Sequence, residues 1–159
     1  MKHKFVEKEA FEIVGKGIKV TTVNGENQRV IPAFWNESNG NGFSDELANY
    51  CGPLGFLGVC TEFDPVQQEF TYVIAAEKSR DDFPADWEVW EIPAATWAVF
   101  ESVGPMPYSI QQVWHDIFAE WFPTSGYEHA DAPEIEVYPE GDTTDENYRC
   151  EVWIPVIKK

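Results

Sequence analysis

The chain has 159 residues, of which 43% are apolar and 25% charged, a balance that suits one globular core and excludes a disordered or fibrous polypeptide. Asp and Glu number 28 against 11 Lys and Arg, and the net charge of -17 repels phosphate backbones and anionic bilayers, so no direct nucleic-acid binding and no membrane association are expected. Seven Trp, six Tyr and eleven Phe supply 15% of the residues, large flat side chains suited both to filling a core and to lining a ligand pocket.

Several chemistries fail at the level of motif. Cys51, Cys60 and Cys150 are odd in number and form no C-x-x-C pair, which fits reduced thiols in a cytoplasm rather than a disulfide framework or a zinc site. His3, His115 and His129 are scattered, so no metal site is expected. Gly40 and Gly42 lack the strand-turn-helix setting and the lysine of a phosphate cradle, and no Ser or Cys sits in a nucleophile motif. No cofactor and no catalytic residue are assigned on these grounds. Residues 1–10 lack the apolar stretch of a signal peptide.

In chain order, Phe11 to Thr22 alternates as a first strand, with Gly15 and Gly17 marking a bulge or a close backbone approach. Glu26 to Trp35 places Val30, Ile31, Phe34 and Trp35 at helical spacing, with Asn24 or Asn27 as cap, and Asn39-Gly40-Asn41-Gly42 stops the helix. Ser44 to Tyr50 forms a further helical turn. Leu54 to Phe63 and Glu69 to Glu77 follow as strands joined through Asp64-Pro65.

The order of signals then repeats. Trp87 to Ser102 reads as extended chain interrupted at Pro93, and Ile110, Val113, Trp114, Ile117, Phe118 and Trp121 mark one face of a helix capped by Ser109 and Gln112 and ended by Pro123 and Gly126. Glu134 to Tyr138 and Arg149 to Ile157 alternate as strands around an acidic turn. Val59 to Asp64 overlays on Val137 to Asp142, and Phe70 to Ile74 on Cys150 to Ile154. The fold class is therefore α+β. Duplicated β-α-β-β units, about 1–80 and 81–159 of a single domain spanning 1–159, face each other about a pseudo-twofold axis, with antiparallel sheets, helices on one face and a ligand cleft between the halves.

Strand alternation selects the candidate binding residues. Glu134, Glu136 and Tyr138 share one face of their strand while Ile135 and Val137 pack beneath a helix, and Glu151 and Trp153 share a face of the last strand. Pairing through the acidic turn is expected to bring Glu136, Tyr138, Glu151 and Trp153 onto one sheet face. Trp35 and Trp114, at similar places in the two helices, and Tyr72, on the corresponding strand of the first half, complete the set. Aromatic faces and a partly buried carboxylate together attract flat cations, each ring contributing about 0.5 to 2 kcal/mol. The alternative is that these glutamates are the solvated face of a half-exposed sheet and the tryptophans core packing.

The chain resembles the GyrI-like small-molecule-binding domains, also known as AraC-type or integron-cassette effector-binding domains. The resemblance rests on Ile31-Pro32-Ala33-Phe34-Trp35, Thr96-Trp97-Ala98-Val99-Phe100 with Gly104-Pro105, Glu120 to Glu128, Glu136-Val137-Tyr138 and Cys150 to Val156. It implies a pocket between the halves that takes up hydrophobic, often cationic, drugs or effectors, with its acid at Glu136 or Glu151, Glu151 being favoured by the neighbouring Trp153. Multidrug binding and transcription regulation are the associated roles. With no helix-turn-helix module preceding its first strand, the chain is expected to act as a stand-alone binder rather than an enzyme. Two other readings stay open: a hydrolase of strained electrophiles using the pocket glutamate, and an acidic module for a protein partner, as in gyrase inhibition.

Overall fold

A computed structural model describes residues 2–159. The first half contains strands β1 (His3–Lys8) and β2 (Phe11–Thr21), helix α1 (Asn27–Gly40), the short helix α2 (Phe43–Leu47), and strands β3 (Phe56–Asp64) and β4 (Glu69–Glu77). The second contains β5 (Glu88–Ile92), β6 (Ala95–Val103), helix α3 (Tyr108–Asp116), a π-helical turn at Ile117–Trp121, the last turn α4 (Phe122–Ser125), and strands β7 (Tyr127–His129), β8 (Glu134–Tyr138) and β9 (Arg149–Lys158).

All strand pairs are antiparallel, and the order β1-β6-β9-β8-β3-β4-β2-β5 is symmetric about the β8–β3 pair, with β7 attached to the end of β9. This is the duplicated unit expected from the sequence, with one addition. Each half begins with a short strand that crosses to the other half, β1 pairing with β6 and β5 with β2. β1 escapes periodicity because it is an edge strand with mostly exposed side chains, of which Val6 packs on the core.

The sheet has two apolar faces. Ile13, Leu57, Val59, Val73, Ile92, Trp97, Ile135, Val137 and Trp153 form one cluster, joined by Val6 and Trp90 from opposite ends of the sheet, so the sheet curls around these side chains. The other face carries both helices. α1 and α2 cover Val14, Val20, Phe70, Tyr72 and Ile74, whereas α3 and its π-turn cover Ala98, Phe100, Val152 and Ile154. Burying each large side chain stabilises the fold by about 1.5 to 3 kcal/mol. Ile135 and Val137 thus face the curled interior, and Glu134, Glu136 and Tyr138 lie on the helix side, the reverse of the arrangement expected from alternation alone.

Local details differ in several places. Gly15 is a close approach rather than a bulge: a Cβ there would sit 2.0 Å from the Ile74 carbonyl, and the β2–β4 register is continuous. Glu26, not Asn24 or Asn27, precedes the first turn of α1, and α3 starts after Pro107, with Ser109 Oγ bonded to the Pro105 carbonyl rather than capping. Pro123 sits inside the last helical turn, and Gly126, at φ 79°, ends it. The Asp64 carboxylate does receive the Val66 and Gln67 amides, closing the predicted β3–β4 hairpin.

Candidate functional site

The central strands β3 and β8 carry no helix directly over them. α1 and α3 flank this bare strip, and the space between them is a cleft of about 1610 Å³. Its floor comes from the helix-side positions of the two strands: Phe56 pairs with Tyr138, Gly58 with Glu136 and Cys60 with Glu134. The walls come from α1 through Ile31 and Trp35, from α3 through Ile110 and Trp114, and from the π-helical turn through Phe118, while Tyr72 reaches in from β4.

Glu136 is the centre of this floor. Trp114 Nε1 donates to its Oε2 at 2.9 Å, and Tyr72 Oη donates to its Oε1 at 2.9 Å. Trp35 Nε1 donates in turn to Tyr72 Oη at 2.9 Å, and the Trp35 ring meets Tyr138 edge to face at 5.4 Å. Both helices are thereby tied to one carboxylate. Gly58 makes this convergence possible, because a Cβ there would lie 2.2 Å from Tyr72 Oη and 3.0 Å from Glu136 Oε1.

The electrostatics follow from burial. Desolvation raises the Glu136 carboxyl above its ordinary value, opposed by the hydrogen bonds from Trp114, Tyr72 and Tyr138. Desolvation, with the Glu136 charge adding to it, holds the Tyr72 and Tyr138 phenols well above the usual tyrosine range, so both remain protonated donors. Burial first, then Glu134 and Glu136, pushes the Cys60 thiol up, which leaves it a poor nucleophile. Among the described residues no Lys or Arg lines the cleft, whereas Asp64, Glu69, Glu134, Glu136 and Glu140 do. Glu134 has a partner in His129, whose Nε2 lies 3.4 Å from Oε2.

Of the residues singled out from sequence, Glu136, Tyr138, Tyr72, Trp35 and Trp114 meet in the cleft, and Glu151 and Trp153 do not. The register decides this. Glu136 stands opposite Val152, and Val137 opposite Glu151, so Glu136 and Glu151 point to opposite faces of the sheet. Trp153 is buried in the curled interior beside Trp97 at 5.9 Å, and its Nε1 donates to Glu151 Oε1 at 3.1 Å. Glu151 borders a separate small hollow with Glu101 and Arg149. Gly58 and Cys60 were missed. The alternation that placed Glu136 applies equally to β3, but a glycine offers no side chain to attract notice.

The chain matches the GyrI-like small molecule binding domain family over residues 1–157. Among solved structures, it is similar to SAV2435 in its complex with tetraphenylphosphonium, at 24% identity and a TM-score of 0.88, covering 99% of this chain and 94% of the other. A protein from Staphylococcus aureus MU50 is 27% identical with a TM-score of 0.80, covering 98% of both chains. The integron cassette protein VCH_CASS2 from the mobile metagenome of Vibrio cholerae is 15% identical with a TM-score of 0.72, covering 98% of this chain and 95% of the other. No curated protein matches the chain.

Proposed function

Since the chain belongs to the GyrI-like small-molecule-binding domain family, we propose that its cleft takes up hydrophobic organic cations, with Glu136 as the countercharge and Trp35, Tyr72, Trp114 and Tyr138 as the aromatic surround. One observation carries the reading. Glu136 is half-buried among aromatic rings and held by three neutral donors, yet among the described residues no lysine or arginine lines the cleft. A half-buried carboxylate in an apolar surround lacks part of its hydration, and a lipophilic cation entering the cleft would supply the missing charge while burying its own apolar surface. Quadrupole attraction from the ring faces adds about 0.5 to 2 kcal/mol per favourable contact. The structure of SAV2435 bound to tetraphenylphosphonium lends support through the shared fold. Uptake itself, common to sensing and sequestration, is the function proposed.

Titration calorimetry with tetraphenylphosphonium and the neutral triphenylphosphine oxide tests it. The cation is expected to bind selectively, and Glu136→Gln to weaken it by about 1.5 to 3 kcal/mol, on the order of 10- to 100-fold, with the neutral compound unaffected. Equal affinity for both compounds, or a cation affinity unchanged in Glu136→Gln, would overturn the assignment.

A further inference from the structure

The cleft holds a second carboxylate that a single cation at Glu136 does not use. Glu134 and Glu136 occupy alternate positions of β8 and both face the cleft, which sets their Cα atoms about 7 Å apart. Their surroundings differ. Glu136 is satisfied by the neutral donors Trp114, Tyr72 and Tyr138, whereas the Glu134 side chain is only 12% exposed and its ion-pair partner is His129, on β7. That partner is a histidine behind the cleft floor, a countercharge able to vanish within the physiological pH range.

We propose that the cleft is a two-charge site in which Glu134 and Glu136 together select ligands carrying two cationic centres, with His129 as the internal countercharge that Glu134 keeps until the second cation arrives. This rests on the reading of the cleft as a cation site and names its ligand class. A monocation at Glu136 leaves the Glu134–His129 pair intact. A dication of suitable length replaces His129 and gains a second charge-assisted contact in a cleft that, among the described residues, has no lysine or arginine to oppose it.

The competition has a defined sign. Glu134, the Ala130 carbonyl and Asp131 favour the protonated form of His129 and together outweigh its partial burial, which opposes it, and the uncharged Phe122 ring packs nearby. Its pKa is raised, chiefly by the hydrogen bond to Glu134, so it is charged in mildly acidic solution and holds Glu134 there. As pH rises through that raised value, Glu134 loses its partner and the second subsite opens. Preference for dication over monocation therefore increases with pH, whereas the Glu136 contribution is common to both ligands and cancels in their ratio.

The test compares 1,1'-dimethyl-4,4'-bipyridinium with 1-methyl-4-phenylpyridinium, which share one biaryl frame and carry two fixed charges and one. Affinities are measured by calorimetry on the full chain between about pH 5.5 and about pH 8.5, a range that spans histidine titration. The wild type is expected to bind the dication about tenfold more tightly at the alkaline end, with the ratio shrinking as pH falls. Glu134→Gln should bring the ratio close to one by costing the dication more than the monocation, and Glu134→Asp should restore the preference. His115 also lines the cleft, so the pH arm is run in a His115→Gln background, where His129→Gln should hold the ratio high at every pH. The general field of the acidic surface is nearly identical in these variants, so it cannot mimic the loss in Glu134→Gln. A wild-type ratio near one, or a high ratio that survives Glu134→Gln, overturns the two-charge site and leaves Glu136 as a single-cation site. Failure of the wild type to bind either compound or tetraphenylphosphonium overturns the cation reading of the cleft itself.

Discussion

Gly58→Ala is the smallest change that reaches the centre of the site without altering any polar group. The added methyl would lie 2.2 Å from Tyr72 Oη and 3.0 Å from both Glu136 Oε1 and Tyr72 Cζ, separations at which the phenol must swing away. Two hydrogen bonds go with it: Tyr72 to the Glu136 carboxylate, worth about 1.5 to 3 kcal/mol net, and Trp35 to Tyr72, worth about 0.5 to 1.5. Replacing a strand glycine returns about 0.5 to 1 kcal/mol through lower unfolded-chain entropy. The expected loss is therefore about 1 to 4 kcal/mol, read as a shift of the urea midpoint with an unchanged slope, or as a fall in Tm of roughly 2 to 4 °C per kcal/mol. Tyr72→Phe removes the same two bonds by another route, so Gly58→Ala in a Tyr72→Phe background should cost distinctly less than the sum of the two single changes. A Gly58→Ala protein as stable as the wild type, or strict additivity with Tyr72→Phe, would show that the glycine does not exist to seat the phenol.

Two further outcomes separate the cleft from the rest of the sheet. Glu151→Gln should leave the affinity for tetraphenylphosphonium within about twofold of wild type by calorimetry, because Glu151 faces away from the cleft and its partner is the interior Trp153. The affinity of a permanent cation should rise with pH as Glu136 ionises; since burial raises that carboxyl, the rise lies above the ordinary glutamate range, and it should vanish in Glu136→Gln.

Much of this site was legible before any coordinates. Alternation in Glu134-Ile135-Glu136-Val137-Tyr138 put the acids and the phenol on one face, and the similar placement of Trp35 and Trp114 in two amphipathic helices marked them as a pair. What alternation cannot supply is which face a helix covers, or how two strands slide past each other. The β8–β9 register depends on a ten-residue connection whose ends are fixed by tertiary contacts, such as Tyr148 Oη donating to the Pro139 carbonyl at 2.8 Å. A slip of one residue sends every side chain of a strand to the opposite face, and that parity decided between Glu136 and Glu151. The overlay of the two halves suffers similarly. With Val59 laid on Val137, Ile74, opposite Gly58, corresponds to Val152, opposite Glu136, so the direct overlay of Phe70 on Cys150 is out of step by two residues.

The corrected correspondence also accounts for how two similar halves produce one charged site. Gly58 and Glu136 face each other directly across the β3–β8 pair, at the centre of the symmetric strand order. Two glutamates at these positions would set like charges side by side, an arrangement that destabilises the sheet and forces one of them to hold a proton. A glycine on one strand instead leaves the room into which Tyr72 reaches, and β9 has Cys150 where β4 has Tyr72. Hence Trp114 contacts the carboxylate itself while Trp35 contacts it through the phenol. The repeat supplies matching indoles from two helices; its breakdown at two positions near the axis, Gly58 against Glu136 and Tyr72 against Cys150, gives them a single acid to converge on. A cation beside Glu136 would therefore bear on both halves of the molecule at once.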